Sequence, residues 1–421
     1  MPQSTETPTT STPSSAASSA IAQLLAPLDP DVFFRDFWEQ RYCLVTRGNA
    51  AHYETLLTRR DLDALLYQYR QTGGSAMGGR VTLVKRSENK ALRQPTPVTE
   101  FGLLDINSLY DAYRRGYTVI VDMAQTRWPA IAELCQGLEA TLHFGLQANI
   151  YATPRGAQGF EPHFDSHDVF VLQLAGSKAW RIYERGEALP MADNLGHPSS
   201  ESLSTPAAEF VLKQGELLYI PRGVVHEAMT TDDSSIHLTL GIHVWRWADL
   251  LREAVLSLAE TDVRLRKSLP VGLLADDGAA ADALDAHLRE LLRACAETAG
   301  ARPALRRLGG RLVDRREPVP DGHFDSLDRL DTISGETSLR RRTGMLCHVF
   351  VKGDTVTIGF PGGSVTGPAA LEQALRFVAG ADVFQARDLP GPEWAPLSAN
   401  AQVVLAKRLV RGGLLAIVEP S

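Results

Sequence analysis

Three side chains near the middle of this chain have the types and spacing to hold one cation. His163-Phe164-Asp165 is an H-x-D unit, and on a strand, where successive side chains alternate faces, its histidine and carboxylate share a side. A second histidine, His226, follows about sixty residues later in Tyr219-Ile220-Pro221-Arg222-Gly223-Val224-Val225-His226, at the exit of an apolar run. Two imidazoles and one carboxylate on one face of an octahedral ion leave three positions open. That is the donor set of non-haem Fe(II) centres that activate O2, with a chelating cosubstrate in two of the open positions. No cysteine lies beside these residues to favour zinc. An H-x-D pattern alone also arises by chance, and a lone histidine in a β-domain is commonly a packed or surface residue. His167-Asp168 competes, because His167 shares the face of His163 on a regular strand.

Lys178 adds context. It follows Gly176-Ser177 and shares its strand face with Trp180 and Ile182. An ammonium pointing with two large apolar groups is explained if it pairs a buried carboxylate. The alternative is a stem that covers the tryptophan while the charge reaches water.

The elements that must position these groups read as strands between 145 and 244. The run 170–174 is bounded by a Gly176-Ser177 turn, 178–183 alternates, and 217–220 follows the turn Lys213-Gln214-Gly215-Glu216. Residues 235–243 alternate cleanly, with Ser235, His237, Thr239, Gly241 and His243 on one face and Ile236, Leu238, Leu240 and Ile242 on the other. The polar face is either a solvent edge or the wall of a pocket.

Upstream, Asp29-Pro30-Asp31 can cap a helix carrying Phe33, Phe34, Phe37 and Trp38. A strand at 42–46, helices near 60–69, 106–114 and 128–141 and a strand near 117–122 complete a mixed region. Downstream, the period becomes helical at Trp247, with Leu250, Leu251, Ala254, Val255 and Leu258. A second amphipathic helix carries Leu284, Leu288, Leu291, Leu292 and Cys295 beyond an Asp276-Asp277-Gly278 turn. This pair either forms a dimer contact or packs on its own domain. The stretch 311–337 reads as a charged linker with loops. A hairpin over 347–351 and 355–359, helices over 368–378 and 399–410 and a strand over 414–418 then outline a winged helix. From Arg340 onward nine Lys and Arg face six Asp and Glu, a weak signal for nucleic acid.

The whole chain of 421 residues is too long for a single core and carries a net charge of −7, which argues against a surface built to grip nucleic acid wholesale. Its four cysteines form no CxxC pair and fit a reducing, cytoplasmic setting. No run approaches the roughly 20 apolar residues that span a bilayer, so no membrane association is expected. Residues 1–19, rich in Ser, Thr, Pro and Ala, lack the basic and apolar regions of a signal peptide and read as a disordered tail.

The segment from Asn149 through His163-Phe164-Asp165, the following VFVLQLAGSKAWRIY ending at Tyr183, and the later ELLYIPRGVVHEA and SSIHLTLG together resemble the JmjC ribosomal oxygenases of the cupin-4 group. The resemblance is strong over 145–245 and looser elsewhere. It implies an α+β protein with a double-stranded β-helix (JmjC/cupin) core, a helical dimerisation region and a C-terminal winged-helix domain. The expected division is a tail at 1–20, an oxygenase domain at 21–246, a dimerisation region at 247–310 and a linker with winged helix at 311–421. It further implies that His163, Asp165 and His226 ligate Fe(II) and that Lys178 sits at the family's 2-oxoglutarate-binding basic position. Some bacterial relatives carry arginine there, so the lysine is more similar to the nucleolar histidyl-hydroxylase branch. Asn149 resembles a pocket asparagine of that branch and Thr239 falls on the strand closing the cosubstrate pocket, with Ser235 and Tyr151 as additions.

The reaction so implied is hydroxylation of an unactivated carbon, coupled to decarboxylation of 2-oxoglutarate by O2 to succinate and CO2. The expected substrate is a histidine or arginine side chain of a ribosomal protein, the expected partner state a homodimer. Two other readings compete. One keeps the chemistry and changes the target to a ribosomally made peptide natural-product precursor. The other is an inactive cupin-like barrel that binds a partner, against which the intact triad and Lys178 argue.

Overall fold

The computed structural model describes residues 18–69, 80–87, 90–191, 203, 205–272, 279–318 and 320–418. The chain divides into two compact units, one ending at Val244 and one beginning at Trp245.

The first unit opens with helices α1 (Ser18–Leu25) and α2 (Pro30–Asp36) and strand β1 (Cys43–Val45). Residues 18–20, assigned above to the tail, belong to α1; the rest of that tail lies outside the described residues. Asp29 caps α2 as its sequence suggests, its Oδ1 accepting from the backbone N–H groups of Asp31 (2.8 Å) and Val32 (3.2 Å), with Pro30 at the first helical position. Phe33, fully buried, then packs edge-on to Tyr219, which fastens this N-terminal helix to the strands behind the site. The chain continues through α3 (Arg59–Gln68), β2 (Val81–Ser87), β3 (Lys90–Gln94), α4 (Ile106–Arg114), β4 (Thr118–Val121) and α5 (Pro129–Leu142).

Six strands follow: β5 (Gly145–Thr153), β6 (Asp168–Arg185), β7 (Ala208–Lys213), β8 (Leu217–Ile220), β9 (Val224–Met229) and β10 (Ser235–His243). The strand order is β1-β8-β6-β10-β5-β4-β2-β3, with β7 and β9 also paired to β6. Every pairing is antiparallel. The first half of β6 pairs with β10 and β8, its second half with β7 and β9, so one strand serves two layers.

The sequence suggested a turn at Gly176-Ser177; the structure has none there, and β6 runs through 18 residues. Gly176 instead bends the strand at φ +65°, opposite a register shift between Ile236 and His237. A side chain could not replace its hydrogen, because a Cβ would fall 1.8 Å from the Ser234 carbonyl oxygen. A glycine inside an apolar run signalled a bend that hands the strand from one sheet to the other, not a reversal.

The alternation of β10 resolves its open question. Ile236, Leu238, Leu240 and Ile242 enter the main core, with Phe33, Phe170, Leu172, Tyr219 and Ile150, and on the opposite face His237, Thr239 and Gly241 line a cavity while His243, at the strand end, is exposed.

The second unit comprises α6 (Trp247–Leu258), α7 (Ala279–Thr298), α8 (Ala301–Asp314), α9 (Phe324–Asp328), β11 (Ser338–Arg341), β12 (His348–Lys352), β13 (Thr355–Phe360), β14 (Gly363–Pro368), α10 (Glu372–Gly380), β15 (Val383–Gln385), α11 (Ala399–Arg411) and β16 (Leu415–Ile417). The expected turn at 276–278 lies outside the described residues. Two features depart from expectation. The supposed linker begins inside α8, whose Ala304, Leu308 and Leu312 are buried at helical spacing and whose Arg307 and Arg311 grip Glu253 of α6 at 2.9 and 2.6 Å. The hairpin gains a third strand, β14, so that α10 begins at Glu372 and not at Pro368. Strands β15-β11-β16 form a second small sheet, and Leu339, Ile358, Leu375 and Leu409 share the core beneath both. Among the described residues no helix is long and apolar enough to cross a membrane, and no disulfide links Cys43, Cys135, Cys295 and Cys347.

Candidate metal centre

His226 sits within β9, not at the exit of β8: the turn Pro221-Arg222-Gly223 separates the two strands. His163 and Asp165 lie on the extended segment before β6, which is not itself a strand. That segment is nevertheless zipped to β9. The His163 N–H donates to the His226 carbonyl at 3.1 Å, the His226 N–H donates to the His163 carbonyl at 2.8 Å, and the Gly223 N–H donates to the Asp165 carbonyl at 3.0 Å.

This backbone pairing brings the three side chains together. One ligand atom from each of His163, Asp165 and His226 lies within 4.8 Å of the others, and His226 Nε2 is 3.7 Å from Asp165 Oδ2. The Nδ1 of His163 is 2.9 Å from the Glu161 carbonyl oxygen and that of His226 is 3.1 Å from the Val224 carbonyl oxygen. A carbonyl only accepts, so each Nδ1 carries the proton and each Nε2 keeps its lone pair for a ligand. Burial, with the neighbouring His163, pulls the His226 pKa down to about 4 against the opposing pull of Asp165, so its ring is neutral. Burial alone would raise the Asp165 pKa, but the cluster of imidazoles around it favours the carboxylate and the net shift is downward. Two neutral nitrogens and one ionised oxygen are a fitting donor set for Fe(II). His167, the competitor, stands outside this group; its Nδ1 is 3.3 Å from the Asp168 carbonyl oxygen and its ring meets His243 edge-on at 5.3 Å.

The three residues open onto a cavity of about 260 Å3. Asn149 and Tyr151 of β5, Lys178 of β6 and Thr239 of β10 all line it. Thr239 lies on the central strand, between Asn149 on one side and Val171 on the other. The Asn149 side-chain oxygen accepts from the Met123 N–H at 3.1 Å and from Gln147 Nε2 at 3.2 Å. Tyr151, its hydroxyl pKa raised by burial, stacks on His237 with ring centroids 4.9 Å apart. Ser235 does not line the cavity: it is fully buried at the far end of β10, where its hydroxyl accepts from Gln173 Nε2 at 2.8 Å. The wall also includes Gln147, Trp180 and His237, which the same alternation on β5, β6 and β10 places beside the expected residues. Arg93 and Phe160, a cation–ring pair 5.5 Å apart, line it as well; Phe160 lies in the segment leading to His163, whereas Arg93 comes from a distant strand that carried no signal.

Lys178 is only 6% exposed, so its stem does not carry the charge to water. Its Nζ donates to Thr153 Oγ1 at 3.2 Å, and Thr118 Oγ1 donates to the same oxygen at 3.2 Å. Among the described residues no carboxylate lies within ion-pair distance of it. Burial alone brings its pKa down to about 7.

Residues 123–250 match the JmjC domain model. Over 262 residues the chain is 31% identical to the bifunctional lysine-specific demethylase and histidyl-hydroxylase NO66 of Aedes aegypti, covering 60% of this chain and 40% of that protein. It is 32% identical to ribosomal oxygenase 2 of Rattus norvegicus over 271 residues, 61% of this chain and 55% of that one. With rat ribosomal oxygenase 1 the identity is 34% over 258 residues, 59% and 41% of the two chains. The matches thus span roughly two-fifths to just over half the length of these curated relatives. The fold also matches the crystal structure of Escherichia coli ribosomal oxygenase YcfD, with a TM-score of 0.54 at 17% identity over 93% of this chain and 98% of that one. A second structure of YcfD, in complex with cobalt and 2-oxoglutarate, matches with a TM-score of 0.53 at 17% identity over 93% of this chain and 99% of that one. Residues 123–250 are therefore a JmjC domain, and the chain is a relative of the ribosomal oxygenases.

Proposed function

We propose that this chain is an Fe(II)- and 2-oxoglutarate-dependent oxygenase that hydroxylates an amino-acid side chain in a protein, with a ribosomal protein as the substrate class and histidine or arginine as the target. The observation that carries the reading is the buried, carboxylate-free ammonium of Lys178 in the same cavity as the two-histidine, one-carboxylate set. An unpaired buried cation is costly, and a dicarboxylate cosubstrate whose near end chelates the metal brings the missing anion at its far end. The relatives' names, and the cobalt and 2-oxoglutarate in the YcfD complex, support the same reading.

In this scheme His163, Asp165 and His226 hold the iron. When bound, that ion supplies O2 activation coupled to oxidation of 2-oxoglutarate. Lys178 pairs the far carboxylate, and Thr153 holds the ammonium in place. Asn149, Thr239 and Tyr151 shape the cosubstrate pocket, and Ser235 supports β10 from behind through Gln173. Val169, Val171 and Trp180 give the cavity an apolar wall that excludes water.

We further propose the finer division: an oxygenase domain at 21–246, a dimerisation region at 247–310 and a winged-helix domain within 311–421. The exposed Trp247 and Leu251 of α6 and Leu288 and Leu292 of α7 support the dimerisation reading. The three-stranded β12-β13-β14 sheet beside α10 and α11 supports the winged helix. A reducing cytoplasmic setting suits four cysteines without a disulfide. The complete donor set disfavours an inactive cupin, and the ribosomal-oxygenase relatives disfavour a peptide-tailoring role.

Anaerobic reconstitution with Fe(II) and 2-oxoglutarate tests the centre. The expected result is the weak metal-to-ligand charge-transfer band of the chelate, lost in His163→Ala. No band in the unsubstituted protein overturns the oxygenase reading.

A further inference from the structure

The two ligand-bearing segments of the candidate metal centre are tied together a second time, away from the metal, by charges the donor set does not use. Asp168 opens β6 directly after the segment carrying His163 and Asp165, and it is fully buried. Arg222 lies in the turn that leads into β9 and His226, and it is 5% exposed. Arg222 Nη1 donates to Asp168 Oδ2 at 2.6 Å, while Arg222 Nη2 lies 2.6 Å from Glu39 Oε1. The other oxygen, Asp168 Oδ1, accepts from the Tyr219 hydroxyl at 2.8 Å, and that hydroxyl accepts in turn from the Glu39 N–H at 2.9 Å. Along the two segments the contacts therefore run in order: His163 with His226, Asp165 with Gly223, Asp168 with Arg222.

From this order we infer that the buried Asp168–Arg222 pair is a positioning device for the metal, fixing how far the His163–Asp165 segment slides against the strand bearing His226. His163 and Asp165 belong to no strand, so sheet pairing alone does not set their register. The first two contacts are backbone bonds that any sequence could form. The third is a side-chain ion pair whose planar guanidinium is held between two carboxylates, Nη1 on Asp168 and Nη2 on Glu39, which fixes where it sits. Neither Asp168 nor Arg222 touches the metal; both act through the ligands. This inference rests on the metal reading of the donor set.

The test is Co(II) titration followed by visible absorption, with thermal unfolding on the same samples. Arg222→Met leaves Asp168 buried without its partner and lowers the unfolding temperature. The double variant Asp168→Asn, Arg222→Met removes both charges, keeps an acceptor for Tyr219 and regains most of that temperature. If the pair positions the ligands, Co(II) still binds the double variant about 10- to 100-fold more weakly than the unsubstituted protein. If Co(II) affinity returns together with the unfolding temperature, the pair serves stability alone and the inference is overturned. Arg222→Lys keeps the charge but not the planar guanidinium that spans Asp168 and Glu39, and weakened Co(II) binding in a folded protein is expected there too; unchanged affinity in that variant also overturns it. Absence of Co(II) binding in the unsubstituted protein is a separate outcome that overturns the metal reading itself.

Discussion

Two buried cations in the first unit are treated in opposite ways. Arg222 is gripped by two carboxylates, Asp168 and Glu39, at 2.6 Å each. Lys178, equally buried, is given one threonine hydroxyl at 3.2 Å. A guanidinium that stays charged under all conditions suits a permanent structural tie, whereas an ammonium whose pKa falls readily on burial suits a place that is occupied only part of the time. On the proposed function, the contrast separates a charge satisfied by the fold from a charge held for a ligand.

The largest expected effect breaks the first side of this contrast. Arg222→Met orphans Asp168 and costs about 3–5 kcal/mol of folding stability, measured by urea denaturation. Lys178→Met removes a cation that has no carboxylate to orphan, so the metal-free protein is unchanged or more stable; an equal loss in both variants would erase the distinction. Next comes cosubstrate binding. Truncating one partner of a buried charge pair costs about 2–5 kcal/mol. Lys178→Ala accordingly weakens 2-oxoglutarate binding to the iron-loaded protein, followed by the charge-transfer band, by about 100-fold, while metal affinity stays as it was.

A third prediction uses pH. The folded Lys178 pKa of about 7 lies below its ordinary 10.5, so between these values the unfolded chain binds more protons. The stability of the metal-free protein therefore rises with pH across this window from this residue, and the rise disappears in Lys178→Met. Because the far carboxylate needs the ammonium, 2-oxoglutarate binding above pH 7 takes up a proton, which calorimetry in buffers of different ionisation enthalpy detects. The smallest effect sharpens the comparison. Thr153→Val removes the one hydroxyl that holds Lys178 and costs about 1 kcal/mol, read as a few-fold weaker cosubstrate affinity.

Much of the site was legible because it obeys short periods. The alternation in β10 separated the core residues from the cavity wall, and Lys178 stood out through its company with Trp180. That alternation already placed His237 beside Thr239, and extending it to β5 would also have reached Gln147. The Glu39–Arg222–Asp168 tie was not legible: its members come from three distant segments, and ion pairs leave no periodic trace. The helix α8 was hidden for a different reason. No separate helix is expected over Ala301–Asp314, whose end falls in the charged stretch from Arg311, and its interior Gly309-Gly310 weaken a helix by about 1 kcal/mol each. The helix is held by tertiary packing and by Glu253, which local preference cannot reveal. The supposed turn at Gly176 failed because glycine marks bends and reversals alike.

The long strand that passes through both layers also has a consequence for biosynthesis. All its sheet partners, β7, β8, β9 and β10, lie later in the chain. A nascent polypeptide that has emerged only as far as Arg185 presents an 18-residue strand with none of its sheet partners. It also displays His163 and Asp165 before His226 exists. Such a species has an open edge and is prone to associate, so translation pausing or chaperone shortage in this interval would reduce yield. On the proposed metal reading, the same order delays metal capture: the third ligand arrives on β9, and only the return of β9 onto β6 closes the grip.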